Sequence, residues 1–285
     1  MVDRAARVVS GHARVVREVR AAGPLMARLS APVTARGPWL TAVLNEGAAR
    51  TPRLRPVAVV VDDAPGDAPG EAPRAAAFLA LRRRGLSTVV ELLGQSRTPL
   101  PGGRPPARLL ARDQAAAGQL ADGVLQLLGS LRGPRSVRLA GLPLGDPTAA
   151  ALAARLPTSV LGNARSTRLV DVLDDVGPVQ RSRDPRVLER VLPALLAAVP
   201  DRRTGDFLRA TARLHAALGQ LEVAVAGTGP APGVLLTLVD GTDRWPWWST
   251  DEAGLRTEMG APVVSLTVPA RVGSPLPGLS RRRAR

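Results

Sequence analysis

The stretch Ala75-Ala76-Ala77-Phe78-Leu79-Ala80-Leu81-Arg82-Arg83-Arg84-Gly85-Leu86-Ser87-Thr88-Val89-Val90-Glu91-Leu92-Leu93-Gly94 decides how this chain reads. Ala75 to Leu81 is apolar without a break, Arg82–Gly85 is a charged turn, and Leu86 to Leu93 is mostly apolar again. A short apolar run without alternation, bounded by a turn, is the pattern of a strand covered on both faces. Upstream, Pro56-Val57-Ala58-Val59-Val60-Val61 is another such run, closed by Asp62-Asp63. Residues 62–74 then form an acidic Pro/Gly/Ala connection, so three successive strands are predicted here.

Working outward, helices alternate with strands. Ala107 to Leu131 reads as mostly helical, with Leu120, Val124, Leu127, Leu128 and Leu131 at core spacing. Ser136 to Leu139 is a short strand, and Asp146 caps a helix through Leu156 with Pro147 in its first turn. Val160 and Arg168 to Leu173 are strand-like. The polar segment 174–185, with its two prolines, is the best internal boundary. Beyond it, helices are predicted over Pro185–Val199 and Thr204–Leu218, and strands over Leu221–Ala226, Val234–Val239 and Val263–Val268. Asp240-Gly241 marks a hairpin turn before Trp245. Upstream of the strands, residues 2–21 read as a basic amphipathic helix ended by Gly23-Pro24, and Trp39–Ala49 as a second helix. Alternating strands and helices give an α/β or α+β class, not a bundle or a sandwich. No short internal repeat is visible.

The chain has 285 residues, 45% of them hydrophobic, which is enough for a proper core and excludes wholesale disorder. No 18-residue apolar run exists, and no apolar block follows the basic start, so a cytoplasmic protein is expected. Cysteine is absent, which removes disulfides and thiolate metal sites. All 39 basic residues are arginine, and lysine, isoleucine and tyrosine are missing too, a bias that GC-rich codons explain. The net charge of +15 sits mainly at the ends: residues 1–56 hold ten Arg against three acids, and residues 271–285 hold five Arg and none. A nearly neutral body with basic arms is a poor specific reader of nucleic acid.

Few residues carry chemistry by themselves. Asp62 and Asp63, with Asp67 and Glu71 behind them, resemble a magnesium carboxylate set, but an ordinary solvated loop is the favoured reading. The glycine loop Gly227–Gly233 precedes a strand, not a helix, and holds two prolines, so it is no phosphate cradle. The two histidines, His12 and His215, are too few for a histidine metal site, so no metal is expected and both read as surface or partly packed. Trp245, Trp247 and Trp248 cluster in a chain with four tryptophans; they either form a partner-binding patch or pack the local core from a strand. The helix 2–21 either lies on an anionic membrane surface or docks its valines on the body. The tail Arg281-Arg282-Arg283-Ala284-Arg285 is either a compact cation able to bind phosphates or acidic surfaces, or a product of the same GC-rich coding bias.

From Pro38-Trp39-Leu40 through Leu173 the chain resembles GNAT-superfamily acyltransferase-like proteins of the cellulose-biosynthesis (CelD-type) and FemAB-related group. The resemblance rests on the P-W-L helix start, the Val57–Asp63 strand, Ala77–Leu86 leading into Val89-Val90-Glu91-Leu92-Leu93-Gly94, and Val137-Arg138-Leu139-Ala140-Gly141-Leu142-Pro143. The helix Phe207–Leu214 with Leu218-Gly219 looks like the one opening a second half of such proteins. The resemblance implies a GNAT-like mixed sheet flanked by helices, in one or two halves. The corresponding division is a basic helix and linker at 1–37, a GNAT-like unit at 38–173, a shorter half at 184–270, and a disordered Arg-rich tail at 271–285.

It further implies acyl transfer from acetyl-CoA or another acyl-CoA to an amine or hydroxyl acceptor. The strand Val89–Gly94, with Leu92 and Gly94, would then receive the pantetheine arm, and Glu91 would serve as the base. The family's pyrophosphate turn, [QR]-x-x-G-x-[GA] at a helix N-terminus, has its nearest counterpart in Arg82–Ser87, which ends in serine and reads as a hairpin. A catalytically inactive relative is therefore one reading. A non-enzymatic interaction scaffold using Trp245–Trp248 and the basic ends is the alternative.

Overall fold

A computed structural model describes residues 6–50, 54–62, 72–96, 99–175, 177–227, 233–250 and 254–271. The mixed α/β class holds. The predicted apolar runs become β2 (Leu54–Val61), β3 (Ala75–Arg84) and β4 (Ser87–Leu92), consecutive and antiparallel. They lack alternation because both faces are covered. Val57, Val59, Ala77, Leu79 and Val90 pack against helices α4 (Gln114–Ser130) and α5 (Pro147–Arg155). Ala58, Val60, Phe78 and Ala80 on the other face pack against α1 (His12–Ala21), α2 (Gly23–Arg28) and α3 (Gly37–Arg50).

The first sheet continues from β4 to β6 (Arg135–Pro143), and this one pairing is parallel, with α4 as the crossover. Beyond β6 lie β12 (Leu255–Arg271) and then β7 (Val160–Asp171) at the far edge. The C-terminal strand thus inserts between two strands of the N-terminal part. A smaller sheet follows the order β11 (Asp243–Ser249), β10 (Gly233–Asp240), β9 (Leu221–Ala226), β8 (Val179–Ser182), all antiparallel. Helices α6 (Pro185–Ala197) and α7 (Arg202–Ala217) cover one face of it, and α7 packs on α3.

The order strand, helices, three antiparallel strands therefore occurs twice, once ending at β4 and once in β8-α6-α7-β9-β10-β11. The repeat is invisible as sequence because it lies in hydrogen-bond order, not in residue identity. One buried cluster joins the two copies, running from Phe78 through Leu25 and Trp39 to Phe207, Leu236 and Trp247.

Three expectations need correction. Residues 2–21 are not one helix: Arg7–Ser10 is β1, paired with Val57–Val60 of β2, and α1 begins only at His12. β-branched Val8 and Val9 suit the strand, and Gly11, at φ +98°, breaks it from the helix. Val15 and Val19 of α1 are buried, so these valines are spent on the core. Of the segment 1–37, residues 7–37 consequently belong to the first sheet and its helical cover and are not an appendage. The second correction is that Leu255–Arg271, expected within a half spanning 184–270, completes the first sheet. The third is that α4 starts at Asp113, its N-cap, because Leu110–Ala111 (β5) pairs with the start of β3. Among the described residues no helix is long and apolar enough to cross a membrane.

Candidate functional site

The parallel pairing of β4 with β6 is short. It runs from Thr88 opposite Arg135 to Glu91 opposite Arg138 and then stops. Past that point β4 turns away through Gly94, whose φ of +86° a β-carbon would strain. β6 continues to Pro143 through an irregularity at Gly141, whose φ is +77°. The strands part here, beside a cavity of about 50 Å³ bordered by Leu92, Leu93, Gly94, Gln95 and Ala140 and also by Leu40 and Phe78. Of the residues expected to act, Leu92 and Gly94 lie on this gap, and Glu91 stands at its apex.

The gap is filled and roofed by the chain itself. The Gln95 side chain reaches across, and its carbonyl oxygen accepts the Ala140 N–H at 3.2 Å. Over the mouth runs the segment 99–109. The Ala107 N–H donates to Gly141 O at 2.7 Å, and the Thr34 hydroxyl donates to Pro106 O at 2.9 Å. The Trp247 indole N–H donates to Pro99 O at 2.9 Å, and the Thr167 N–H to Arg104 O at 3.0 Å. Four separate elements therefore hold one Pro/Gly-rich loop in place.

Glu91 is 2% exposed. One carboxylate oxygen accepts from the Ser96 hydroxyl at 2.5 Å, and the other faces Arg82 at 3.4 Å. Both oxygens are thus engaged by the chain's own donors.

The acyl-CoA implied by the resemblance does not fit these residues. Ligand pockets typically run to about 300–1,000 Å³, far above the space between β4 and β6. The Arg82–Ser87 segment joins β3 to β4 as a hairpin and opens no helix. At the N-terminus of α4, where an anion would find free N–H groups, the Asp113 carboxylate accepts the Ala116 N–H at 2.8 Å. That bond, together with Arg74, holds Asp113 below the usual carboxylate range, so it stays charged and repels a phosphate.

The tryptophans separate into different roles. A bulge between Leu236 and Thr237 makes Trp247 the extra residue of β11 and turns the three indoles toward one face. Trp247 is 2% exposed and packs edge-on against Trp39 at 5.7 Å and Phe207 at 6.4 Å. It is core, not patch. Trp248 is partly buried behind it. Trp245 alone of the three borders an open cleft of about 470 Å³, between the free edges of β7 and β11, together with Ser166, Arg168 and Arg244. Arg36 lies over the Trp245 ring at 4.6 Å and is itself paired with Asp240 and Asp243.

The remaining candidates are structural. Asp62 pairs with Arg7 at 2.6 Å, which also binds Glu18, locking β1 to β2 and α1. Asp63, Asp67, Glu71, the glycines and prolines 228–232 and the tail beyond residue 271 lie outside the described residues. His12 is half-buried, with its Nε2 enclosed and unpartnered. Among the described residues no three histidine or carboxylate side chains gather as a metal site.

His215 is 3% exposed, against the surface or partly packed position expected, because α7 turns it toward the core. Its Nδ1 meets Thr211 O at 2.9 Å, and burial pushes its pKa below the ordinary 6.5. The unfolded chain then binds a proton that the folded chain refuses, so stability present above about pH 6.5 drains away on acidification. Denaturant titrations between pH 7.5 and pH 5 should show this loss, and His215→Leu should flatten it. An unchanged slope in the variant would mean that other groups carry the effect.

No family model and no curated protein matches this chain. The chain is similar to a solved tandem GNAT protein from the clavulanic acid biosynthesis pathway, determined without AcCoA, at 13% identity and a TM-score of 0.41, over 94% of this chain and 100% of that one.

Proposed function

We propose that this is a GNAT-like protein that binds a partner and no longer transfers acyl groups. The observation that carries the reading is the sealed gap between β4 and β6, where Gln95 satisfies Ala140 and the 99–109 loop covers the mouth. A pantetheine chain laid between parting strands needs that N–H and that space, and here the chain's own side chain and loop take both. The engagement of Glu91 by Arg82 and Ser96 supports the same reading, because a carboxylate that is 2% exposed and held by two of the chain's own donors is poorly placed to reach a substrate's proton. A surface open to such a partner is the cleft beside Trp245.

The competing reading is an acyltransferase acting on an amine or hydroxyl with Glu91 as base, and the position of Glu91 where the strands part favours it. Calorimetric titration with acetyl-CoA separates the two. It is run at physiological and raised salt beside 3′,5′-ADP and desulfo-CoA, since an arginine-rich chain binds polyanions loosely. The expected result is weak heat that collapses with salt and is shared by 3′,5′-ADP. Saturable micromolar binding that survives salt and needs the pantetheine arm would overturn the scaffold reading in favour of the transferase.

A further inference from the structure

We propose that the end of the first sheet carrying the β3–β4 turn is a docking surface for an anionic lipid bilayer. Arg84 and Ser87 pair across a two-residue turn, Gly85-Leu86, with Gly85 at φ +61° as such a turn requires. Leu86 occupies the tip and is 86% exposed, the highest value of any large apolar side chain among the described residues. Beside it runs the connection from α4 to β6. Pro134 O accepts the Thr88 N–H at 2.9 Å, and Gly133 stands against Leu86 O, so the two loops form one surface.

That surface is cationic and unneutralised. Arg83 and Arg84 come from the turn, and Arg132 and Arg135 from the connection. Among the described residues none of the four makes an ion pair, and neither loop contains a carboxylate across residues 82–89 or 131–136. Arg135 donates only to a neutral carbonyl, Leu131 O at 3.0 Å, and so keeps its charge uncompensated. Arg82 is the exception in the turn, being committed to Glu91. β12 ends at Arg271, opposite Arg135, at this same end of the sheet.

The combination selects the partner. Four uncompensated guanidinium groups suit any polyanion, but a leucine projecting from their midst gains nothing from a phosphodiester backbone. A bilayer offers both halves of the match: anionic headgroups for the arginines and an acyl boundary for Leu86. No aromatic ring lies in either loop to stack a base, which leaves nucleic acid the poorer fit. This surface is separate from the β4–β6 gap and from the Trp245 cleft, and it stands or falls independently of the function proposed above.

Flotation of the full chain with phosphatidylcholine vesicles, with and without phosphatidylserine, tests it. Binding is expected only with phosphatidylserine. Each of Arg83→Gln, Arg84→Gln and Arg132→Gln should weaken it by about fivefold, and Leu86→Ser by about tenfold. All four positions are at the surface, and circular dichroism and thermal melting should show each variant folded. Duplex DNA, titrated in parallel, should respond to the arginine variants but not to Leu86→Ser. Equal binding to both vesicle types would overturn the proposal. So would vesicle binding indifferent to Leu86→Ser, which would mark the patch as a general polyanion surface.

Discussion

Trp247→Ala is expected to cost about 3–5 kcal/mol of folding stability, the range for deleting a buried large aromatic. Trp247 is the residue at which the two copies of the strand–helix–strand unit meet. Its ring touches Trp39 of α3 and Phe207 of α7, both edge-on, and its N–H holds the 99–109 loop through Pro99. Alanine removes the ring contacts, leaves a cavity, and frees Pro99 O from its donor. Urea denaturation followed by circular dichroism measures the loss. Trp247→Phe, which keeps the packing but not the hydrogen bond, should lose less. The alanine variant should also release the loop, seen as faster amide exchange at Arg104 and Ala107. If Trp247→Ala unfolds within about 1 kcal/mol of the parent, the residue is a surface patch and the scaffold reading gains a second binding site.

Glu91→Ala is the second large effect, at about 3 kcal/mol, the low end for removing one member of a buried ion pair. Arg82 is 22% exposed at its side chain, so water relieves part of the penalty. Glu91→Gln keeps an acceptor for Ser96 and should lose less. The informative measurement is a double-mutant cycle with Arg82→Ala, in which a shared network gives a coupling of about 1–3 kcal/mol. A catalytic base waiting for substrate would give a different pattern: little stability lost and no coupling to Arg82. The stability measurements thus separate a structural anion from a catalytic one whatever the acceptor is.

Much of the fold was legible in the residues. The runs Val57–Val61 and Ala75–Leu81 announce strands because burial on both faces removes alternation, and the structure covers both faces. Asp146-Pro147 announces a helix start because a side-chain acceptor and a fixed φ solve the terminal N–H problem locally, and Asp146 does accept the Ala149 N–H. The start of β1 escapes a sequence reading for an equally local reason. Val8, Val9, Val15 and Val16 satisfy a helical period, yet the first two pair with β2 in a strand, and only the φ of Gly11 divides them. Leu92 and Gly94, singled out through the resemblance, border the β4–β6 gap. That the gap would be sealed was not visible, because Gln95 and Ala140 are 45 positions apart and neither is unusual in composition. The burial of Trp247 was hidden in the same way: a bulge between Leu236 and Thr237 makes it the extra residue of β11, and no residue of the run Trp245–Trp248 specifies it.

The sequence by itself determined the α/β class, the order of most helices and strands, the two basic ends and the position of Glu91 on a buried strand. Each follows from period, capping or composition, which act over a few residues. Tertiary structure alone decided that Leu255–Arg271 returns between β6 and β7, that the strand order repeats, that the cavity beside Glu91 is roofed, and that Leu86 projects near four arginines that make no ion pair among the described residues. Those outcomes depend on pairings between segments tens to more than a hundred residues apart. Their free energy comes from burying surfaces against each other, so no local stretch carries their signature.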